Sequence, residues 1–186
     1  MENEESAIVR IEYPKFFNSN YLNETIRLEI GALADWIPNE EITIQPDIYK
    51  IYPQLFEGSK IKVKATPPER TFWEKATILH REASRPKDKT LPKRYARHYY
   101  DLYIISNTKF KNVAFKKSNM LKRIANFKQK FYYNSWVDYN KANLKKIRIV
   151  PDEYRFKEIQ KDYKIMSEML YGEIPSFETI MNGLKN

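Results

Sequence analysis

Residues 66–106, TPPERTFWEKATILHREASRPKDKTLPKRYARHYYDLYIIS, constrain the fold more than any other stretch, because they write two amphipathic helices joined by a short basic linker. Thr66 and Glu69 have the spacing of a T-x-x-E capping box, and Pro67 suits a first helical position. Phe72, Ala76, Leu79 and Ala83 then recur at helical spacing until Pro86 closes the run. In the second helix Leu91, Tyr95, His98, Leu102 and Ile105 alternate steps of four and three, which makes one apolar stripe. Two such stripes must bury against each other or against a third element.

Charge is placed beside both stripes. Lys75 precedes Ala76 and Asp101 precedes Leu102, so each flanks a core face. Two arrangements fit this spacing. In one, the cation and the carboxylate converge on a cleft between neighbouring helices. In the other, Lys75 pairs with nearby acids such as Glu74 or Glu82, and Asp101 pairs with Arg97, four residues away on its own helix. The linker itself carries Arg81, Arg85, Lys87, Lys89, Lys93, Arg94 and Arg97, a cluster suited to phosphate contact or to a solvated loop.

The residues before 66 alternate rather than turn. Segments 7–13, 25–30, 41–44 and 60–65 read as short strands, the last with its lysines guarding an edge. Segment 47–56 suits a brief amphipathic helix that Pro53 bends. After the helix pair, apolar spacing predicts helices over 118–133 (Met120, Ile124, Phe127, Phe131), 152–170 (Phe156, Ile159, Tyr163, Met166) and 176–184, with caps at Ser118 or Asn119, Asp152 and Ser176. Trp136 and Tyr139 are placed to pack a loop, and 147–150 to be extended. Gly172 ends the helix over 152–170. The expected class is α+β, with a small antiparallel or mixed sheet over 1–65 and a helical bundle over 66–186.

The motif ERTFWEKATILHREASRP followed by RYARHYYDLYIIS resembles the signature of the AbiEii/AbiGii toxins, nucleotidyltransferase-like proteins of bacterial abortive-infection and toxin–antitoxin systems. LEIGALADW, ITIQPDIYKIYPQLFEG and GEIPSFETIMNGL extend the likeness over most of the chain. The resemblance implies a partial nucleotidyltransferase-like mixed sheet ahead of the bundle. It implies transfer of a nucleotide from an NTP to an RNA acceptor, tRNA being the candidate, with Mg²⁺ as cofactor and an antitoxin protein or transcript as partner. Lys75 would then bind nucleotide phosphate, joined by Arg70, Arg94 and Arg97. Asp101 would be a metal ligand or would orient the acceptor, and Glu29 would be a further metal carboxylate; on the alternation of its strand alone, Glu29 is a solvent-facing residue. Such enzymes also carry a Gly-Ser turn followed by a D-x-D pair. No D-x-D occurs here, and the single Gly-Ser, Gly58-Ser59, is followed by KIKVKA. By this pattern the chain is similar to the C-terminal part of a longer family member, and a non-catalytic nucleotide-, RNA- or antitoxin-binding module is the alternative.

Composition narrows the remaining classes. The 186 residues carry a formal net charge of +9, which favours a polyanionic partner. The absence of Cys excludes disulfides and thiolate metal sites. His80 and His98 stand in no H-x-x-x-H pattern and read as packing residues. No G-x-S-x-G, Walker A or Rossmann glycine pattern is present. No apolar run is long enough to span a bilayer, and the acidic opening MENEES is unlike a signal peptide, so a cytoplasmic setting is expected.

Overall fold

The computed structural model describes residues 6–14, 16, 18, 19, 22, 25–31, 37–58 and 60–185. All four expected strands form: β1 (Ser6–Glu12), β2 (Thr25–Gly31), β3 (Glu40–Ile44) and β4 (Ile61–Ala65). They pair as two separate antiparallel ribbons, β1 with β2 and β3 with β4, rather than as one sheet. The register sets Ala7, Val9 and Ile11 opposite Ile30, Leu28 and Ile26. Segment 47–56 forms two short 3₁₀ turns, Asp47–Lys50 and Pro53–Leu55, instead of an amphipathic helix. Its Ile48, Ile51 and Leu55 stay exposed. Ser59 and residues 32–36 of the resembling motif lie outside the described residues.

Among the described residues six α-helices follow: α1 (Pro68–Ala83), α2 (Ala96–Ser106), α3 (Phe110–Lys116), α4 (Asn119–Phe131), α5 (Phe156–Met166) and α6 (Phe177–Lys185). The α+β class therefore stands. The α1 stripe is buried as its spacing requires, with Ala76 and Leu79 fully enclosed beside Phe72 and Trp73. Trp73 donates its indole N–H to the Ala114 carbonyl at 3.0 Å, which pins α3 to α1. Leu102, Ile159, Met166, Ile180 and Met181 complete the core from α2, α5 and α6. Each such side chain contributes roughly 1.5–3 kcal/mol on burial. α6 approaches α2 so closely that a Cβ on Gly183 would lie 2.5 Å from the Tyr103 ring, which explains a glycine inside that helix.

Several helix starts differ from expectation, each for a local reason. The capping box does not form: Pro67 is the N-cap and has no N–H for an acid to accept. The Glu69 carboxylate instead accepts from Lys117 Nζ at 2.6 Å, and that bond holds it below the usual carboxylate range against the opposing effect of burial. α2 begins at Ala96, not at Leu91, since Pro92 and the positive φ of Arg94 (65°) interrupt the run. Its N-terminus is capped from α5: the Asp162 carboxylate accepts from the Arg94 and Ala96 N–H groups, each at 2.8 Å. Asp152 does not cap α5, which is entered through a 3₁₀ turn, Glu153–Arg155; its carboxylate pairs with Arg148. Ser118 makes no side-chain cap, and the buried face of α4 is Leu121, Ile124 and Ala125, leaving Phe131 exposed. Ser176 does cap α6, accepting from the Thr179 N–H at 3.0 Å.

The loop after α4 forms a second small cluster of Val137, Tyr139 and Ala142 with Ala125 and Trp136. His80 ties this loop to α1: its Nδ1 accepts from the Arg148 N–H at 3.0 Å, so its Nε2 faces the Asp138 carbonyl as donor.

Candidate phosphate site between the first two helices

α1 and α2 pack along their apolar stripes and carry Lys75 and Asp101 to the same point. Lys75 Nζ lies 2.7 Å from Asp101 Oδ2, with the two side chains 21% and 37% exposed. Of the two arrangements that spacing allows, the structure takes convergence between helices. The same ammonium is 3.2 Å from His98 Nδ1. An ammonium only donates, so the imidazole accepts and carries its proton on Nε2. Burial, and then the charges of Lys75, Arg97, Lys128 and Arg81, push His98 down to about 3, which keeps the ring neutral. Tyr95 stands edge-on to that ring at 4.8 Å and takes a hydrogen bond from Arg81 at 2.8 Å.

Beside this pair lies a cavity of about 490 Å³ between the β4–α1 junction, α1 and α4. Its cationic wall holds Lys64, Arg70, Arg81 and Lys128, and its aromatic wall Tyr95, Phe127, Tyr132 and Tyr139. Arg70 is oriented by Glu74 at 2.9 Å and by the Pro38 carbonyl at 3.1 Å. Lys128 donates to the Glu74 carbonyl at 3.1 Å. Burial first, with help from Arg81 and Lys75 against the pull of Glu74, pushes Lys128 down to about 7.

Of the expected phosphate ligands Arg70 lines this cavity, Lys75 is held by Asp101 and His98 behind its α1 wall, and two lie elsewhere. Arg94 lines a different cavity, between the 91–96 turn and α5, and Arg97 is exposed on α2. Of the linker cations, Arg81 and Arg85 grip the buried Glu82 carboxylate, while Lys87 and Lys89 sit over the Tyr154 and Trp136 rings. Glu29 lies on the exposed β2 strand, paired with Arg27 at 3.1 Å. Lys128 escaped the sequence reading, although its spacing from Leu121, Ile124 and Ala125 places it on the buried stripe of α4.

A family profile described as nucleotidyl transferase AbiEii toxin, type IV TA system, matches residues 2–183. The chain belongs to the AbiEii family. Neither a curated protein nor a solved structure gives a significant match. Membership makes it a nucleotidyltransferase-like toxin of a type IV toxin–antitoxin system, and such a system implies an antitoxin. Among the described residues no helix is long and apolar enough to cross a membrane.

Nucleotidyltransferases as a class use a divalent ion and an NTP, so the AbiEii assignment raises the fit of Mg²⁺. Among the described residues no three His, Asp or Glu side chains converge, and the Asp101 carboxylate is engaged by Lys75. The described residues therefore hold no cluster of three carboxylates or imidazoles that would fix Mg²⁺ by protein alone. What this AbiEii chain does present is a set of cations turned toward one cavity, fit to neutralise phosphate.

Lys128 makes a pH prediction with a definite sign. Its folded value of about 7 lies below the ordinary 10.5, so between those values the unfolded chain holds a proton that the folded chain lacks. Stability from this group therefore rises with pH across the window, and the penalty is fully present below about 7. Lys128→Met is expected to be stabilised relative to the parent by more at pH 6 than at pH 10, by over about 1 kcal/mol. Urea midpoints measured across that range check it; a difference that stays constant with pH contradicts it.

Proposed function

We propose that this chain binds the triphosphate of an NTP at Lys75 and the adjoining cation-lined cavity and transfers the nucleotide to an RNA acceptor, with tRNA as the candidate. The observation that carries this reading is the meeting of Lys75 and Asp101 from separate helices beside a cavity walled by Arg70, Arg81 and Lys128. In the step, an acceptor hydroxyl attacks the α-phosphorus, a new O–P bond forms, the bond to the β-phosphate oxygen breaks, and pyrophosphate leaves. Lys75 and its neighbours neutralise the phosphate charge, which is most of what phosphoryl transfer asks of a protein. Asp101, once the phosphate draws Lys75 away, is placed to orient the hydroxyl and take its proton. The reading includes Mg²⁺ as the cofactor and an antitoxin, protein or transcript, as the regulator in a cytoplasmic setting, which membership of a nucleotidyltransferase toxin family supports; the cations of the cavity share in neutralising the phosphates.

A second reading is favoured by the lack of converging carboxylates among the described residues: a module that keeps nucleotide, RNA or antitoxin contacts without catalysis. Incubating the purified chain with bulk tRNA, Mg²⁺ and each labelled NTP separates the two. Transfer predicts labelled RNA that falls at least about 100-fold in Lys75→Ala. Absence of label, with nucleotide binding still weakened by that change, leaves the binding module.

A further inference from the structure

The charge of this protein is concentrated in one place. Between residues 102 and 137 there is no Asp or Glu, while eight of the 33 Lys and Arg fall there. The other 150 residues hold 25 Lys and Arg against 24 Asp and Glu, so the net charge of +9 is almost entirely local. This segment is the end of α2, α3, α4 and the turn that follows.

The fold spreads that charge over an outer face. α4 turns Leu121, Ile124 and Ala125 into the core and leaves Lys122, Asn126 and Lys130 exposed in one row. Lys122 and Lys130 are about 12 Å apart along the axis. Lys116, at the end of α3, is exposed as well. Aromatic rings are set among these cations: Phe115 is 46% exposed, Phe131 43% and Tyr133 65%. Lys130 Nζ stands 5.1 Å over the Phe131 ring. At its C-terminal end the same helix passes Phe127 and Tyr132 into the wall of the phosphate cavity, with the Phe127 and Phe131 rings 4.7 Å apart.

We infer that the outer face of α3 and α4 is a track for single-stranded RNA, which runs over Lys116, Lys122 and Lys130, stacks bases on Phe131 and Tyr133, and ends at the cavity. The inference rests on the transfer reading for its choice of RNA, because the strand so placed delivers its end to the bound nucleotide. Unbroken positive charge binds phosphates, and exposed rings among the cations take unstacked bases. A duplex offers no free base faces for those rings. A lipid surface needs an apolar helix face, and the apolar face of α4 is spent on the core.

The test is the affinity of the full chain for a labelled, unstructured 20-nucleotide RNA over a range of salt. It is run beside DNA of the same sequence, an RNA duplex, polyglutamate and vesicles of anionic phospholipid. Lys122→Gln with Lys130→Gln is expected to weaken RNA binding at least tenfold and to lower the salt slope by roughly 1.4. Lys161→Gln with Lys164→Gln, a charge-matched pair on exposed positions of α5, is expected to change it less than twofold. Tyr133→Ala is expected to weaken binding with the slope unchanged. Equal losses from both lysine pairs overturn the track, as does duplex binding as tight as single-strand binding. Preference for DNA, polyglutamate or vesicles over RNA overturns the assignment of the occupant. Transfer that persists unaltered in Lys122→Gln/Lys130→Gln also counts against the track, whereas loss of RNA binding without any transfer in the parent upholds the track and removes the transfer reading.

Discussion

Asp101→Asn is expected to abolish nucleotide transfer while raising the affinity for inorganic triphosphate several-fold. Both effects follow from one contact. The Lys75 ammonium is already occupied, 2.7 Å from Asp101 Oδ2 and 3.2 Å from His98 Nδ1. A phosphate that uses this lysine must displace a carboxylate of the same sign as itself. Asn is close to isosteric and uncharged, so the competitor goes while the local packing stays. A half-exposed ion pair is worth up to about 1 kcal/mol, which corresponds to roughly a fivefold gain for the triphosphate. Transfer falls by at least about 100-fold, because the amide cannot accept the acceptor's proton. Lys75→Ala should instead lower triphosphate binding and transfer together. Titration calorimetry with triphosphate, run beside the labelled-NTP assay, reads both quantities. Weaker triphosphate binding in Asp101→Asn would mean that Asp101 supports the anion rather than competes with it, and the role given to Lys75 would fall.

What made the site partly legible was periodicity; what hid the rest was distance along the chain. The stripe of Phe72, Ala76 and Leu79 lies within one helix, so its 3.6-residue repeat alone places Lys75 at the edge of a core. Alternation located all four strands for the same local reason, but their partners are set by long-range pairing, and two ribbons and one sheet write the same alternation. The start of α2 was unreadable because its cap, Asp162, comes from 66 residues later. α3 has only seven residues, too few for a periodic signal. Spacing likewise left Asp101 two partners, Lys75 or Arg97, and only the packing of α1 on α2 chose between them. Lys128 was readable in principle, since a lysine on a stripe with Leu121 and Ile124 is either snorkelling or functional. The acid-free run from 102 to 137 is countable in the sequence, whereas the packing that brings Phe127 and Lys128 of α4 to the cavity wall is long-range and is not.

Glu82→Ala is expected to cost about 3–5 kcal/mol of stability, as breaking a buried ion network does. The Glu82 side chain is 1% exposed, and its two oxygens accept from Arg81 Nε at 2.8 Å and Arg85 Nε at 2.6 Å, with a second Arg85 bond at 3.1 Å. Removal of the carboxylate leaves two guanidiniums facing each other with little water to separate them. At roughly 2–4 °C per kcal/mol for a chain of this size, Tm falls by about 6–20 °C. Glu82→Gln should lose almost as much, since its amide turns an N–H toward a guanidinium that can only donate. Arg85→Met should cost less, because Glu82 keeps Arg81. The effect reaches Lys75 through a chain of contacts: Arg81 also donates to the Tyr95 hydroxyl, the Tyr95 ring stands edge-on to His98, and His98 accepts from Lys75. Glu82→Gln, assayed at a temperature where it remains folded, should therefore bind triphosphate more weakly than the parent although Glu82 itself touches no phosphate. A Tm within about 2 °C of the parent would show that the two arginines find other partners, and the network would then neither hold the fold nor aim Lys75.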